Sequence, residues 1–160
     1  MISVVDLDLF KANVDVIAHQ VNCMGVMGSG VAAQVRTKYP DAYSRYRAVC
    51  REFRPQDLLG ITQVVAIKDC DTLMNGRPFV VANLFSQLSY GRGEQHTNYK
   101  ALASCLRALA CEMRYRGYHS VAVPYLMGCV RGGGDWNSVR YYLEKELDSF
   151  DVIICRKDKG

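Results

Sequence analysis

The sequence predicts a single α/β domain, residues 1–160, with a largely parallel sheet and helices on both faces. Three observations carry that expectation. Apolar, β-branched runs alternate with segments of helical period along the chain. Those runs are apolar almost throughout rather than alternating with polar residues, as strands covered on both faces are. And two glycine clusters each follow one such run and precede a helical segment, as strand-to-helix turns do in this class.

In chain order, ISVVDLDLF reads as a first strand and VDVIAHQVN as a second, mostly buried one. VAAQVRTKY is helical and stops before Pro40; Asp41 then reads as the cap of a second helix, DAYSRYRAVCREF. ITQVVAI and PFVVANLF are strands on either side of the turn-like DTLMNGR. TNYKALASCLRALACEMRYRG is the clearest helix: Leu102, Leu106, Leu109 and Met113 share one face and Gly117 ends it. SVAVPYL, WNSVRYYLEKELDSF and DVIICR complete the alternation as strand, helix and strand.

Composition narrows the function classes. Apolar residues make up 49% and charged residues 22%, ordinary for a globular chain with a real core. No signal peptide and no run of membrane-spanning length is evident, so no membrane partner is expected. The net charge of +4 is mild; with acids interspersed it suits an anionic ligand and does not indicate nucleic acid. Seven cysteines without a C-x-x-C pair or a histidine at zinc spacing point to free thiols in a reducing, intracellular compartment, and to no metal. Cys105 and Cys111 read as small apolar residues of the long helix.

The stretch AHQVNCMGVMGSGVA, residues 18–32, concentrates the functional signal. A buried strand ends in His19 and Asn22 and then gives up side chains at Gly25, Gly28 and Gly30. The second cluster, GCVRGGGDW, follows SVAVPYL in the same way. Glycines there let backbone N–H groups approach an anion, and a helix N-terminus adds partial positive charge. Neither cluster is a Walker loop and neither fits G-x-G-x-x-G. Two such loops in one small domain suggest a ligand with more than one phosphate, or a phosphate and a sugar, gripped between them.

These motifs, in order with KYPDAYSRY, VANLFSQ and the NYKAL helix, resemble a macrodomain over nearly the whole chain. The A-H-x-x-N start and the G-C-x-x-G-G-G-D-W loop are similar to the branch with ADP-ribose-1''-phosphate phosphatases and terminal ADP-ribose glycohydrolases. The resemblance implies a three-layer α/β/α sandwich around a mixed, largely parallel sheet, with ADP-ribose or ADP-ribose-1''-phosphate as ligand and no cofactor. It implies that Asp8 bonds the adenine amino group with Leu9 beside it, and that Asn22 faces the distal ribose. Gly28, Ser29, Gly30 and Val31 would follow the diphosphate, and Gly128, Cys129, Val130, Arg131, Gly132, Gly133 and Gly134 would close over it. His19 stands where the phosphatase-like members have an essential histidine. Asp135 reads equally as a helix cap and as a carboxylate facing the ribose, so His19 and Asp135 are the catalytic candidates. Trp136 reads as a packing anchor.

The chain also departs from the pattern. Gln87 stands where the glutamate-directed glycohydrolases have their lysine, Gly132 where they have an aspartate, and Val130 where a glycine is usual. Phosphate removal from ADP-ribose-1''-phosphate is the expected activity. A non-catalytic ADP-ribose-binding module is the alternative, as is a hydrolase acting on ADP-ribosylated protein. A monomer is expected.

Overall fold

The computed structural model describes residues 1–68, 76–91, 95–129 and 132–157. Six strands form one sheet in the order β1-β6-β5-β2-β4-β3. They are β1 Ile2–Val5, β2 Val16–Asn22, β3 Thr62–Ala66, β4 Val80–Gln87, β5 Ser120–Pro124 and β6 Asp151–Cys155. All pairings are parallel except β3 with β4, so the sheet is mixed and largely parallel.

Side-chain alternation along the central strands sorts the core into two layers. Val16 and Ala18 of β2, with Ala82 and Leu84 of β4, pack under α4 (Tyr99–Arg116) and α5 (Trp136–Glu146). Ile17 and Val21 of β2, with Val81 and Phe85 of β4, pack under α1 (Gly30–Lys38) and α2 (Pro40–Glu52). The outcome is the three-layer sandwich, with Leu102, Leu106, Leu109 and Met113 buried on one face of α4 as their spacing implies. Asn98 caps α4 through the Ala101 N–H, and Gly117 ends it in the left-handed conformation at φ 73°.

Several local expectations need correction. The first strand ends at Val5; Asp8 instead accepts from the Phe10 N–H and caps a 3-10 turn, Leu9–Lys11. Pro40 opens α2 at its first position, so Asp41 sits inside the first turn rather than capping it. A short helix α3, Pro55–Leu58, lies where none was expected. Cys105 is buried, but Cys111 is exposed. The DTLMNGR turn lies largely outside the described residues. Among those residues no helix is long and apolar enough to cross a membrane, and no cluster of His, Cys, Asp or Glu could hold a metal ion.

Topology places the site. β2 and β5 are parallel neighbours, and their carboxyl ends leave in opposite directions: β2 leads to α1 on one face, β5 to α5 on the other. A crevice at such a divergence is where open α/β sheets bind ligands.

Candidate functional site

A cleft of about 980 Å³ occupies that crevice. One wall is the β2–α1 connection, with Asn22, Val26, Gly28, Ser29, Gly30, Val31 and Ala32; the other is the β5–α5 connection, from Pro124 to Gly128 with Gly132 and Gly133. His19 and Gln20 form part of the floor, and Gln87, Tyr90, Gly91 and Gln95 complete it. Of the expected ligand-binding residues, Asn22, Gly28, Ser29, Gly30, Val31, Gly128, Gly132 and Gly133 therefore share one cavity. Cys129 and Gly134 do not line it. Val130 and Arg131 lie outside the described residues. Asp8 lines a separate small cleft with Asp6, Leu7, Lys11 and Lys157, and Leu9 is buried behind it.

His19 is 1% exposed. Its Nε2 lies 2.7 Å from Asn83 Oδ1. Asn83 donates its own amide hydrogens to Gln63 Oε1 (3.0 Å) and the Ala42 carbonyl (3.3 Å), and Gln63 donates in turn to the Arg45 carbonyl. This chain, anchored on two backbone carbonyls of α2, leaves Asn83 Oδ1 only an acceptor role. The proton of a neutral His19 therefore sits on Nε2, and Nδ1 carries a bare lone pair. That Nδ1 is buried with no protein partner. Burial lowers the pKa to about 4, opposed by the Asn83 bond, so the ring is neutral at pH 7.

Asn22 is occupied mainly by its own connection. Its Nδ2 donates to the Val26 carbonyl and its Oδ1 accepts from Met24 N–H and Tyr46 OH, each within 3.0 Å. The amide thus shapes the wall, and its second N–H remains for a ligand. Ser29 is the residue before α1, but its side chain makes no capping bond, and Gly30 opens the helix at φ 62°. The first N–H groups of α1 consequently face the cleft without a protein side chain on them, a ready site for an anion.

The second wall is built differently. Thr97 Oγ1 accepts from Gln20 Nε2 and donates to the Gly128 carbonyl at 2.6 Å, while the Thr97 N–H bonds the Gly132 carbonyl. Gln20 also donates to Gln87 Oε1 and accepts from Ser86 Oγ, both at 2.7 Å. A Cβ on Gly132 would collide with Thr97 Oγ1 and the Gly128 carbonyl; one on Gly128 would stand 2.7 Å from Gln20 Oε1; one on Gly134 would stand 2.9 Å from the Gly128 carbonyl. Three of these glycines are required by the protein's own packing, whatever ligand lies above them. Leu126, in the same connection, has φ 61°, a strained value for a non-glycine residue at a cleft wall.

Asp135 caps α5: its Oδ2 accepts from both the N–H and the hydroxyl of Ser138 at 3.1 Å. It is exposed and does not line the cleft. The N-terminus of α5 is thus closed by its own carboxylate, unlike that of α1. Trp136 packs edge-on against Tyr125, centroids 5.2 Å apart, as an anchor does.

Sequence reasoning missed Asn83, Gln20 and Thr97. A signal existed for two of them: Asn83 is a lone amide inside the apolar run VVANLF, and Gln20 interrupts VIAHQV on the face opposite His19. Nothing local marks Thr97, which reads as an ordinary helix-start residue.

Residues 18–143 match the profile of the Macro domain family. The chain is 31% identical over 156 residues, 96% of its length, to a DNA ADP-ribosyl glycohydrolase of Mycobacterium tuberculosis, and spans 41% of that relative. It is 39% identical over 80 residues, 48% of its length, to an ADP-ribose 1''-phosphate phosphatase of Scheffersomyces stipitis, and spans 46% of that relative. Its fold superposes on the macrodomain of Mycobacterium tuberculosis DarG with a TM-score of 0.80, at 28% identity over 99% of both chains.

Proposed function

The chain belongs to the macro domain family, and from that premise we propose that it binds ADP-ribose in the cleft and hydrolyses ADP-ribose derivatives at the distal ribose. The observation that carries the proposal is the pairing of an uncapped helix N-terminus with a buried, unpartnered base on one limb of the cleft. The N–H groups of α1 hold the diphosphate, and Asn22 meets the distal ribose with its second N–H. Asp8, in its separate small cleft, accepts from the adenine amino group.

His19 supplies the chemistry. Its Nδ1 takes a proton from water as the water oxygen attacks, and loop N–H groups neutralise the developing charge. In ADP-ribose-1''-phosphate the attacked atom is phosphorus; the bond to the 1''-oxygen breaks with its electron pair, that oxygen takes the proton held by His19, and phosphate and ADP-ribose are released. Asp135 is assigned to holding the second connection in place.

A second reading changes only the bond attacked. The relative that matches nearly the whole chain is a DNA ADP-ribosyl glycohydrolase, whereas the phosphatase match covers half of it. In this reading water attacks C1'' and the carrier leaves. Gln87, held by Gln20 and itself donating to the Ser89 carbonyl, offers no amine for a Schiff base, so direct attack by water is the route. The test is wild-type protein incubated separately with ADP-ribose-1''-phosphate and with an ADP-ribosylated oligonucleotide, the products separated by chromatography, beside calorimetric titration with ADP-ribose. Phosphate release selects the first reading and free ADP-ribose from the oligonucleotide the second. Heat on binding without either product reduces the protein to a binding module. Absence of heat removes the cleft assignment.

A further inference from the structure

We infer that the chain carries a docking surface for a nucleic-acid strand on α1 and α2, directly behind the β2–α1 wall of the cleft. The inference deepens the second reading above, because it names the carrier from which the ADP-ribosyl group would be removed.

From Arg36 to Glu52 there are five cations, Arg36, Lys38, Arg45, Arg47 and Arg51, against Asp41 and Glu52, a net +3. The helix α4 on the opposite layer carries the same net charge, so what sets this face apart is how its charges are paired. Among the described residues, Arg36, Arg45, Arg47 and Arg51 have no carboxylate within ion-pair distance, whereas on α4 and α5 Arg107, Arg116 and Arg140 are each paired with a glutamate and Arg114 is not. Leaving several guanidinium groups unneutralised on one face raises a positive field that a polyanion fits.

The cations are also organised. Tyr43, Arg47 and Arg51 follow one another at four-residue spacing on α2, along one side of the helix. The Arg36 guanidinium lies 4.4 Å from the centre of the Tyr43 ring, and Arg47 flanks the same ring and donates to its hydroxyl at 3.3 Å. A tyrosine held between two arginines presents planar donors for phosphodiester oxygens beside faces on which bases can stack.

Finally, the surface is continuous with the cleft. A Cβ on Gly25 would stand 3.8 Å from Arg47 Cδ, so Arg47 rests on the connection whose next residues, Val26 and Gly28, line the cavity. The crest of that connection exposes Met24 (49%) and Val26 (37%), apolar surface between the arginines and the cleft. A strand lying along α2 would cross this crest and deliver a modified nucleotide into the cavity. An acidic peptide would match the charge but has no use for the stacking faces, so nucleic acid is the occupant favoured.

The test is fluorescence anisotropy with a fluorescein-labelled single-stranded DNA of about 20 nucleotides, longer than one binding footprint, across a salt series. Wild type should bind with strong salt dependence. Arg36→Gln/Arg51→Gln should lower the slope of log Kd against log salt by about 1.4, two phosphate contacts on a single strand. Arg36→Glu/Arg51→Glu should weaken binding at least tenfold, with ADP-ribose affinity by calorimetry unchanged within twofold. Arg140→Glu, on the opposite layer, should leave DNA binding as it is. The inference is overturned if wild type does not bind at low salt or if Arg140→Glu weakens binding as much as the double variants. Competition by polyglutamate as effective as DNA at equal charge also overturns it, assigning the surface to an acidic protein. Loss of ADP-ribose binding in all forms, with DNA binding intact, would instead count against the cleft assignment alone.

Discussion

The β2–α1 and β5–α5 connections look alike in sequence, each an apolar strand followed by a glycine cluster and a helix, and they form facing walls of one cleft. They reach that place by opposite means. The first leaves its helix N-terminus without a side-chain cap, because Ser29 makes no such bond, and keeps a neutral histidine with a free lone pair in the floor. The second fills its helix N-terminus with Asp135 and packs its glycines on Thr97, Gln20 and its own backbone. A glycine cluster is therefore no direct sign of a ligand: on the first wall Gly28 has room for a side chain while Gly25 and Gly30 serve left-handed turns at φ 82° and 62°, and on the second the missing side chains are excluded by packing.

The largest effect that sharpens this comparison is a pH dependence of the first wall. The His19 pKa is lowered from 6.5 to about 4, so below 6.5 the unfolded chain binds a proton that the folded one refuses. The stability contributed by the neutral ring is intact above pH 6.5 and is lost progressively as pH falls towards 4, by about 3 kcal/mol over that window. Urea unfolding between pH 7 and 4 should show this loss in wild type and not in His19→Gln. Equal slopes in the two proteins would mean that the histidine is not buried neutral.

Next comes glycine itself. Gly132→Ala drives a methyl group into Thr97 and the Gly128 carbonyl and should destabilise by about 1–3 kcal/mol. Gly28→Ala meets only Val26, at 3.4 Å, and should change stability by less than about 1 kcal/mol. Similar denaturation midpoints for the two variants would break the contrast between the walls.

The smallest effect concerns the caps. Asp135→Ala should cost about 1 kcal/mol by removing the bonds to Ser138, whereas Ser29→Ala removes no capping bond and should leave the midpoint unchanged within error. A loss on Ser29→Ala as large as on Asp135→Ala would show that both termini are closed by side chains.

The two walls also mark how far the sequence was legible. Element types and the two-sided core follow from period and apolarity, which local sequence encodes, and so the long helix with its Leu102 to Met113 stripe was placed correctly. The Leu9–Lys11 turn and the four-residue α3 were not, because elements of a single turn have no period to read. At the site, His19 and Asn22 were visible as polar residues in an apolar run, but only Asn22 ends the strand; His19 lies in the middle of β2. What fixes the His19 tautomer was not: Asn83, Gln63 and the Ala42 carbonyl converge from three different elements. The reason for Gly132 was likewise hidden, since its neighbour Thr97 is 35 residues away in the chain. Long-range polar contacts of this kind leave no local pattern.

The central claim is that the first wall holds the ligand and does the chemistry while the second is a packed cover. Product release by His19→Ala and Asp135→Ala, measured in parallel with wild type on whichever substrate it turns over, tests it most directly. His19→Ala should bind ADP-ribose within about threefold of wild type but lose a hundredfold or more in rate, as loss of a general base does. Asp135→Ala should retain its rate within a few-fold. Abolished turnover in Asp135→Ala beside an active His19→Ala would contradict the claim and move the chemistry to the second wall.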